Sequence, residues 1–331
     1  MKHKKMIVWG YPIHTHTHSY VHAAIVKACR QIGLDTYWFD DTNFPDPKDF
    51  DYSDCLFFTE GYADSNIPLV KGSTYLVHVC KDPKKYLDKE VRLVDVRYNV
   101  KEIFDVNYHY VRDSAKVEKI NDCLYYEKLL DDSGLTNRQF EGKSVEYEAI
   151  YLTWATDLLP DEILDEFIEI PRQNRVIWLG TLSQSNLGEV QPFAQACVDN
   201  GIEFLHNDPW SKPLSFSDAM HATQVSYLSP DIRGSGDHAT HTGTNHLRTG
   251  YVACRQFKNI SYGQLGMTNS SEAHRVLQEL TIFNEDTYQL FHDGKKEMHN
   301  KKLILEQMKL VRENHTWVSR IKDVIKCVDE R

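Results

Sequence analysis

The chain has 331 residues, enough for two cores rather than one, and 41% of it is hydrophobic, with 18 Tyr, 14 Phe and 6 Trp. That composition belongs to a globular protein. A net charge of −10, from 48 acidic against 38 basic residues, excludes a general nucleic-acid binder built on a basic stripe, yet leaves room for a mononucleotide held by two or three placed cations.

Residues 6–9 read as a short apolar strand that opens the fold. After a histidine-rich loop, Ser19 is a plausible N-cap for a helix with Val21, Ala24, Ile25 and Ala28 at helical spacing, ending near Gly33. Residues 36–39 give a second strand, and the spacing fits a βαβ crossover. Residues 46–50 are loop, and 54–59, 74–79 and 91–96 repeat the buried-strand pattern. The first half therefore reads as an open, mostly parallel sheet with helices on its faces. Residues 98–148 are rich in charge and Tyr and lack a clean period. Residues 151–154 predict one more strand, and the proline-containing, acidic stretch 160–174 is the best linker candidate.

A second α/β series starts with a strand over 175–179, closed by Gly180 and Thr181. Then follow a helix over 188–200, a strand over 202–206, a helix over 215–222 and a strand over 224–228. Residues 233–250 form a Gly/His/Thr loop of the length that is usually functional or mobile. A helix-compatible stretch from Tyr251 ends in a turn at Gly263, and 264–268 predict a buried strand. Amphipathic helices over 301–314 and 317–328 complete the chain. The expected domains are 1–165 and 166–314, with the last helix, 315–331, free to pack back on the first.

The seven cysteines are scattered, with no CxxC spacing, which reads as reduced thiols used as small apolar residues. The apolar run before Gly10 is too short for a signal peptide, and no run approaches the roughly 18 apolar residues of a membrane span. The expected setting is the reducing cytoplasm.

Two segments carry chemistry. The first is the loop bearing His14, His16 and His18, just past the opening strand; open α/β sheets bind ligands at the carboxyl ends of their strands. Its imidazoles suit a general base near neutral pH. They equally suit a metal site, since H-x-H and the i, i+4 pair His18/His22 both permit coordination; the plainer reading is that two of the three satisfy backbone groups or pack on aromatic residues. The second segment holds Arg255 and Lys258, followed by Asn259, Ser261, Tyr262 and Gly263. A loop, a helix start and two cations suit a nucleoside diphosphate, because helix-end amides and guanidinium or ammonium groups favour phosphate oxygens. A solvated surface pair is the alternative. Gly180 and Thr181, at the end of a strand, would let the backbone approach a phosphate closely, and Arg233 stands at the mouth of the long loop. His238, His241 and His246 in that loop fit a lid better than a metal site. Trp210, in a predicted turn, is either a base-stacking group or a half-buried packing residue.

Tyr251, Arg255, Phe257, Gly263, Thr268 and Asn269 match a Tyr-x-x-x-Arg-x-Phe, helix, Gly, Thr-Asn pattern. His315, Thr316 and Trp317 followed by Arg320 match an aromatic closing segment, and residues 9–18 and 154–160 are similar to further family segments. The chain in this way resembles the GT-B class of nucleotide-sugar glycosyltransferases, its bacterial and viral members above all, including family 4-like and spore-protein-glycosyltransferase-like enzymes. The resemblance implies two Rossmann-like, doubly wound α/β domains facing across a cleft, and a nucleotide-diphosphate sugar of UDP or GDP type as donor rather than any cofactor. The acceptor would be a hydroxyl of a glycan or other molecule. It further implies metal-independent transfer, with Arg255, Lys258 and amides near Gly180 stabilising the leaving diphosphate. His16 or His18, with His14 beside them, would orient or deprotonate the acceptor, and closure of 234–250 would exclude water. One departure is Lys258, where many relatives carry a ribose-binding Glu, so that Glu272 or a backbone group would take over. The paired-Glu spacing of many retaining relatives is not evident, which leaves stereochemistry open. The competing readings are a metal-dependent hydrolase built on His14, His16 and His18, a nucleotide-sugar epimerase on the same scaffold, and a sugar-binding protein without catalysis.

Overall fold

The computed structural model describes residues 3–11, 17–46, 48–98, 110–120, 123–130, 145–183, 186–208, 211–234 and 252–329. The chain forms two compact units, Met1–Thr153 with Trp317–Arg331, and Trp154–Thr316.

The first unit is built on an eight-stranded sheet of order β2-β1-β3-β4-β5-β8-β7-β6. Strands β1 (Lys5–Trp9), β2 (Asp35–Phe39), β3 (Cys55–Glu60), β4 (Thr74–His78), β5 (Arg92–Arg97) and β8 (Val145–Leu152) pair in parallel. β6 (Tyr110–Ile120) and β7 (Cys123–Leu130) add an antiparallel edge. The parallel strands are near-continuous apolar runs because both of their faces are covered; β3 and β4 are buried at every position. Ile7, Trp9, Phe57, Tyr75, Val77 and Tyr86 form the core on one face, with Phe57 and Tyr75 stacked at 4.5 Å between ring centroids.

Helix α1 (Thr17–Gln31) buries Ala24, Ile25, Ala28 and Cys29. It starts three residues earlier than an N-cap at Ser19 predicts, so Ser19 lies fully buried in its first turn and is not the N-cap. The cause is visible in its inner face: His18 and His22, one turn apart, both reach Glu60, which requires the helix to be wound already at His18. The C-terminal helix, here α9 (Trp317–Asp329), belongs to this unit. Its wholly buried Arg320 donates to the Thr153 carbonyl at 3.1 Å, and its Val328 carbonyl accepts from Arg92 at 2.6 Å.

In the second unit, β9 (Arg175–Leu179) pairs in parallel with β10 (Glu203–Asn207), and β11 (Met267–Thr268) with β12 (Ile282–Phe283). Residues 226–232 run between the two pairs: Tyr227 N–H donates to the Arg175 carbonyl at 2.7 Å and Asp231 N–H to the Met267 carbonyl at 2.9 Å. Val176, Trp178, Phe193, Leu228, Met267 and Phe291 form the core. The strand expected over 224–228 is not formed, because helix α4 (Phe216–Val225) continues into it. Ser226 then replaces a ladder bond with its side chain: Oγ accepts from Ile177 N–H at 3.0 Å and donates to the Leu228 carbonyl at 2.7 Å.

The stretch 160–174 carries short 3-10 helices at Pro160–Glu162 and Asp165–Glu169 and packs within this second unit. Arg172 donates to the Gly263 carbonyl at 3.1 Å and to Gln264 Oε1. Gly263 is needed at φ 88°, and a Cβ there would lie 2.8 Å from the Phe167 carbonyl carbon. Gly263→Ala is therefore expected to destabilise the protein by about 2 kcal/mol, read as a lower urea midpoint at unchanged slope.

Candidate functional site

The first unit gathers four polar residues at the carboxyl ends of its strands. β1 ends at Gly10 (φ 97°), where a Cβ would come within 2.7 Å of the Ala63 Cβ. This close approach fixes the Gly10 carbonyl, which accepts from Trp38 Nε1 at 3.0 Å and faces His22 Nδ1 at 3.1 Å. Glu60 ends β3 and His78 ends β4, and the parallel register sets the two side by side. His18 and His22 come from α1. His18 Nδ1 lies 2.8 Å from Glu60 Oε2, His78 Nδ1 3.8 Å from the same oxygen, and His22 Nε2 3.4 Å from Oε1. The Tyr98 ring lies 4.1 Å from that of His78.

Burial would raise the Glu60 carboxyl, but hydrogen bonds from His18, His22 and His78 outweigh it and hold the group well below the usual carboxylate range. Burial lowers His78, against the pull of Glu60. Tyr11 is pushed up to about 12, by burial first and then by the Glu60 charge. A permanent carboxylate thus sits under three imidazoles. Of these, His22 is wholly buried and His78 nearly so, whereas the His18 side chain is 29% exposed. His18 is the most exposed of the three.

The second unit gathers its cations around helix α5 (Cys254–Ser261). Its N-cap, Ala253, has no side chain able to take up the first-turn amides, and amides at a helix start favour an anionic ligand. Arg255 lies with its guanidinium 4.1 Å from the Trp178 ring centre and donates to the Leu179 carbonyl at 2.7 Å. Gly180 stands at φ 139°, and a Cβ on it would overlap Arg255 Nη2. Lys258 Nζ is 3.0 Å from Asp157 Oδ2, and Tyr262 donates its hydroxyl to the same carboxylate at 2.6 Å. Arg233 pairs with the buried Asp231, while its backbone is clamped by Asn269 at 2.7 and 2.9 Å. At the first position of α5, burial raises the Cys254 thiol while the charges of Lys258, Arg233 and Arg255 all act to lower it. Arg255 thus sits in the first turn of the helix and Lys258 in its last, and the charge of Arg233 also reaches Cys254.

The predicted residues fall into three groups. Gly180, Arg233, Arg255 and Lys258 are brought together near α5, with Thr181 exposed beside Gly180. Asn259 and Ser261 are buried and fasten the helix: Asn259 donates to the Ser229 carbonyl at 2.7 Å, and Ser261 meets Thr156 Oγ1 at 2.6 Å. Tyr262 is buried on Asp157. His14, His16, Trp210, Tyr251 and the loop 235–250 with His238, His241 and His246 lie outside the described residues, as does the side chain of Glu272. Sequence reasoning missed Glu60 and Asp157. Glu60 had a signal, an acidic residue closing the apolar run of β3 at its carboxyl end. Asp157 lay in a segment noted for its resemblance, with nothing local to assign it a cation.

No protein-family model matches the chain, and no curated protein matches it. Among solved structures, the trehalose-6-phosphate synthase OtsA aligns over 99% of this chain and 99% of its own, at TM-score 0.52 and 9% identity. The trehalose-6-phosphate phosphatase N-terminal domain of Candida albicans covers 98% of this chain and 97% of its own (TM-score 0.48, 8% identity). A DNA-modifying β-glucosyltransferase, solved with and without uridine diphosphoglucose, covers 98% and 99% (TM-score 0.47, 10% identity). Below a TM-score of 0.5, these last two add no weight. The whole-chain likeness to OtsA and the two α/β units together define the fold as GT-B.

Proposed function

We propose that the protein is a glycosyltransferase, moving a sugar from a nucleotide-diphosphate donor to a hydroxyl of a glycan or other acceptor. The observation that carries this reading is the placement of Arg255 and Lys258 on α5, with the Arg255 guanidinium against Gly180 at the end of β9 and the charge of Arg233 reaching the first residue of the helix. Fixed cations and aligned amides stabilise the charge that grows on a departing diphosphate, and they need no divalent ion to do so. Trp178 and the Leu179 carbonyl hold the Arg255 fork in place before any ligand arrives, so little side-chain freedom is lost on binding. Asp157 does the same for Lys258.

The first unit supplies the acceptor base in this reading. Glu60 engages His18 at Nδ1 and directs Nε2 outward, so Nε2 takes the acceptor proton as the new glycosidic bond forms. The donor C1–O bond to the diphosphate breaks in the same step. His18→Ala is expected to lower kcat about 100-fold with donor KM nearly unchanged. Among the described residues no helix is long and apolar enough to cross a membrane, and the five cysteines whose side chains are described are free thiols, which supports a cytoplasmic setting as part of the proposal. Incubation with a panel of nucleotide sugars, scored for released diphosphate and for transfer to added glycans, tests the reading; no turnover of any donor would remove it.

A further inference from the structure

We propose that His18, His78 and Glu60 form a binding site for one divalent transition-metal ion of the zinc class. A ring nitrogen of each histidine and a Glu60 oxygen lie within 4.8 Å of one another. The separations from Glu60 Oε2, 2.8 Å to His18 Nδ1 and 3.8 Å to His78 Nδ1, bracket the edge of about 3.4 Å expected between ligands of a tetrahedral ion with bonds of about 2.1 Å. Two imidazoles and one carboxylate are a donor set for zinc or cobalt, whereas calcium and magnesium ask for oxygen cages.

A second observation points the same way. Both ring nitrogens of His22 face oxygen acceptors, Nδ1 the Gly10 carbonyl at 3.1 Å and Nε2 Glu60 Oε1 at 3.4 Å, and the side chain is wholly buried. A neutral imidazole has one N–H, so it answers only one of them. An ion on Glu60 would ease the conflict: Nδ1–H donates to Gly10, and the metal answers the carboxylate that the Nε2 lone pair faces. Gly10 is held in position for this by its contact with Ala63. Resting on the transferase reading, one consequence follows: coordination of His18 Nδ1 would leave Nε2 protonated, so a bound ion and acceptor deprotonation by His18 exclude each other.

The test uses metal-free full-length protein without any nucleotide sugar. Titration with Co²⁺, followed by visible absorption, should show a tetrahedral-type spectrum saturating at one equivalent, bleached by Zn²⁺. His18→Ala, on the exposed side of the cluster, and His78→Gln should each weaken binding by about 100-fold or more, with circular dichroism confirming that they fold. Absence of a spectrum in the wild type, or wild-type affinity in both variants, would overturn the site; the latter would place binding on histidines elsewhere. Because no donor is present, failure of the transferase reading would leave this result intact.

Discussion

Arg255→Ala is expected to reduce sugar transfer by roughly two orders of magnitude while the protein stays folded. The guanidinium is part-buried, lies over Trp178 and donates to the Leu179 carbonyl, two contacts that stabilise the fold by about 1–2 kcal/mol. In the proposed reaction it faces a diphosphate that gains charge as the glycosidic bond breaks, and there its fixed fork has its largest effect. Arg255→Lys should recover little, since an ammonium cannot stack on the indole and reach two oxygens together. Gly180→Ala offers an independent route to the same loss: its Cβ would push the guanidinium away, at a φ that alanine tolerates poorly. Steady-state kinetics of the three variants, with circular dichroism for folding, check the prediction. Normal kcat/KM in Arg255→Ala would remove this residue from the site.

Glu60→Ala should be the most damaging change to the first unit. The carboxylate is buried and faces three imidazoles, so its removal takes away the charge they share and opens a cavity at the ends of β3 and β4. Breaking a buried charged cluster from one side costs about 3–5 kcal/mol, equivalent to a melting point about 10 °C lower for a unit of this size. Glu60→Gln keeps the shape and should lose less. If both variants melt with the wild type, the cluster is not holding the unit together.

The parallel strands of the first unit were legible because a strand covered on both faces must be apolar along its length, as in residues 55–60 and 74–78. The antiparallel strands at 110–120 and 123–130 were not: charges such as Asp113, Lys116 and Glu118 interrupt any period, and the pairing register shifts between Val111 and Lys116. The break of the predicted strand at 224–228 depended on a hydroxyl, Ser226, taking over a backbone partner, which no periodicity reveals. At the candidate site, Arg255, Lys258 and Gly180 were readable as residue types that suit phosphate. Their partners Asp157, Asp231 and Trp178 were not, since each pairing spans tens of residues or depends on a local fold. The same holds for Glu60, whose role arises only when β3, β4 and α1 bring His18, His22 and His78 to it.

The most direct test of the account is thermal denaturation with and without uridine, guanosine, thymidine or adenosine diphosphate, for the wild type and Arg255→Ala. A ligand at about 100 times its dissociation constant stabilises the native state by about 2.7 kcal/mol. At least one diphosphate should therefore raise the wild-type melting point by several degrees and leave Arg255→Ala almost unmoved. No shift with any of the four, or the same shift in the variant, would contradict a diphosphate site at the start of α5.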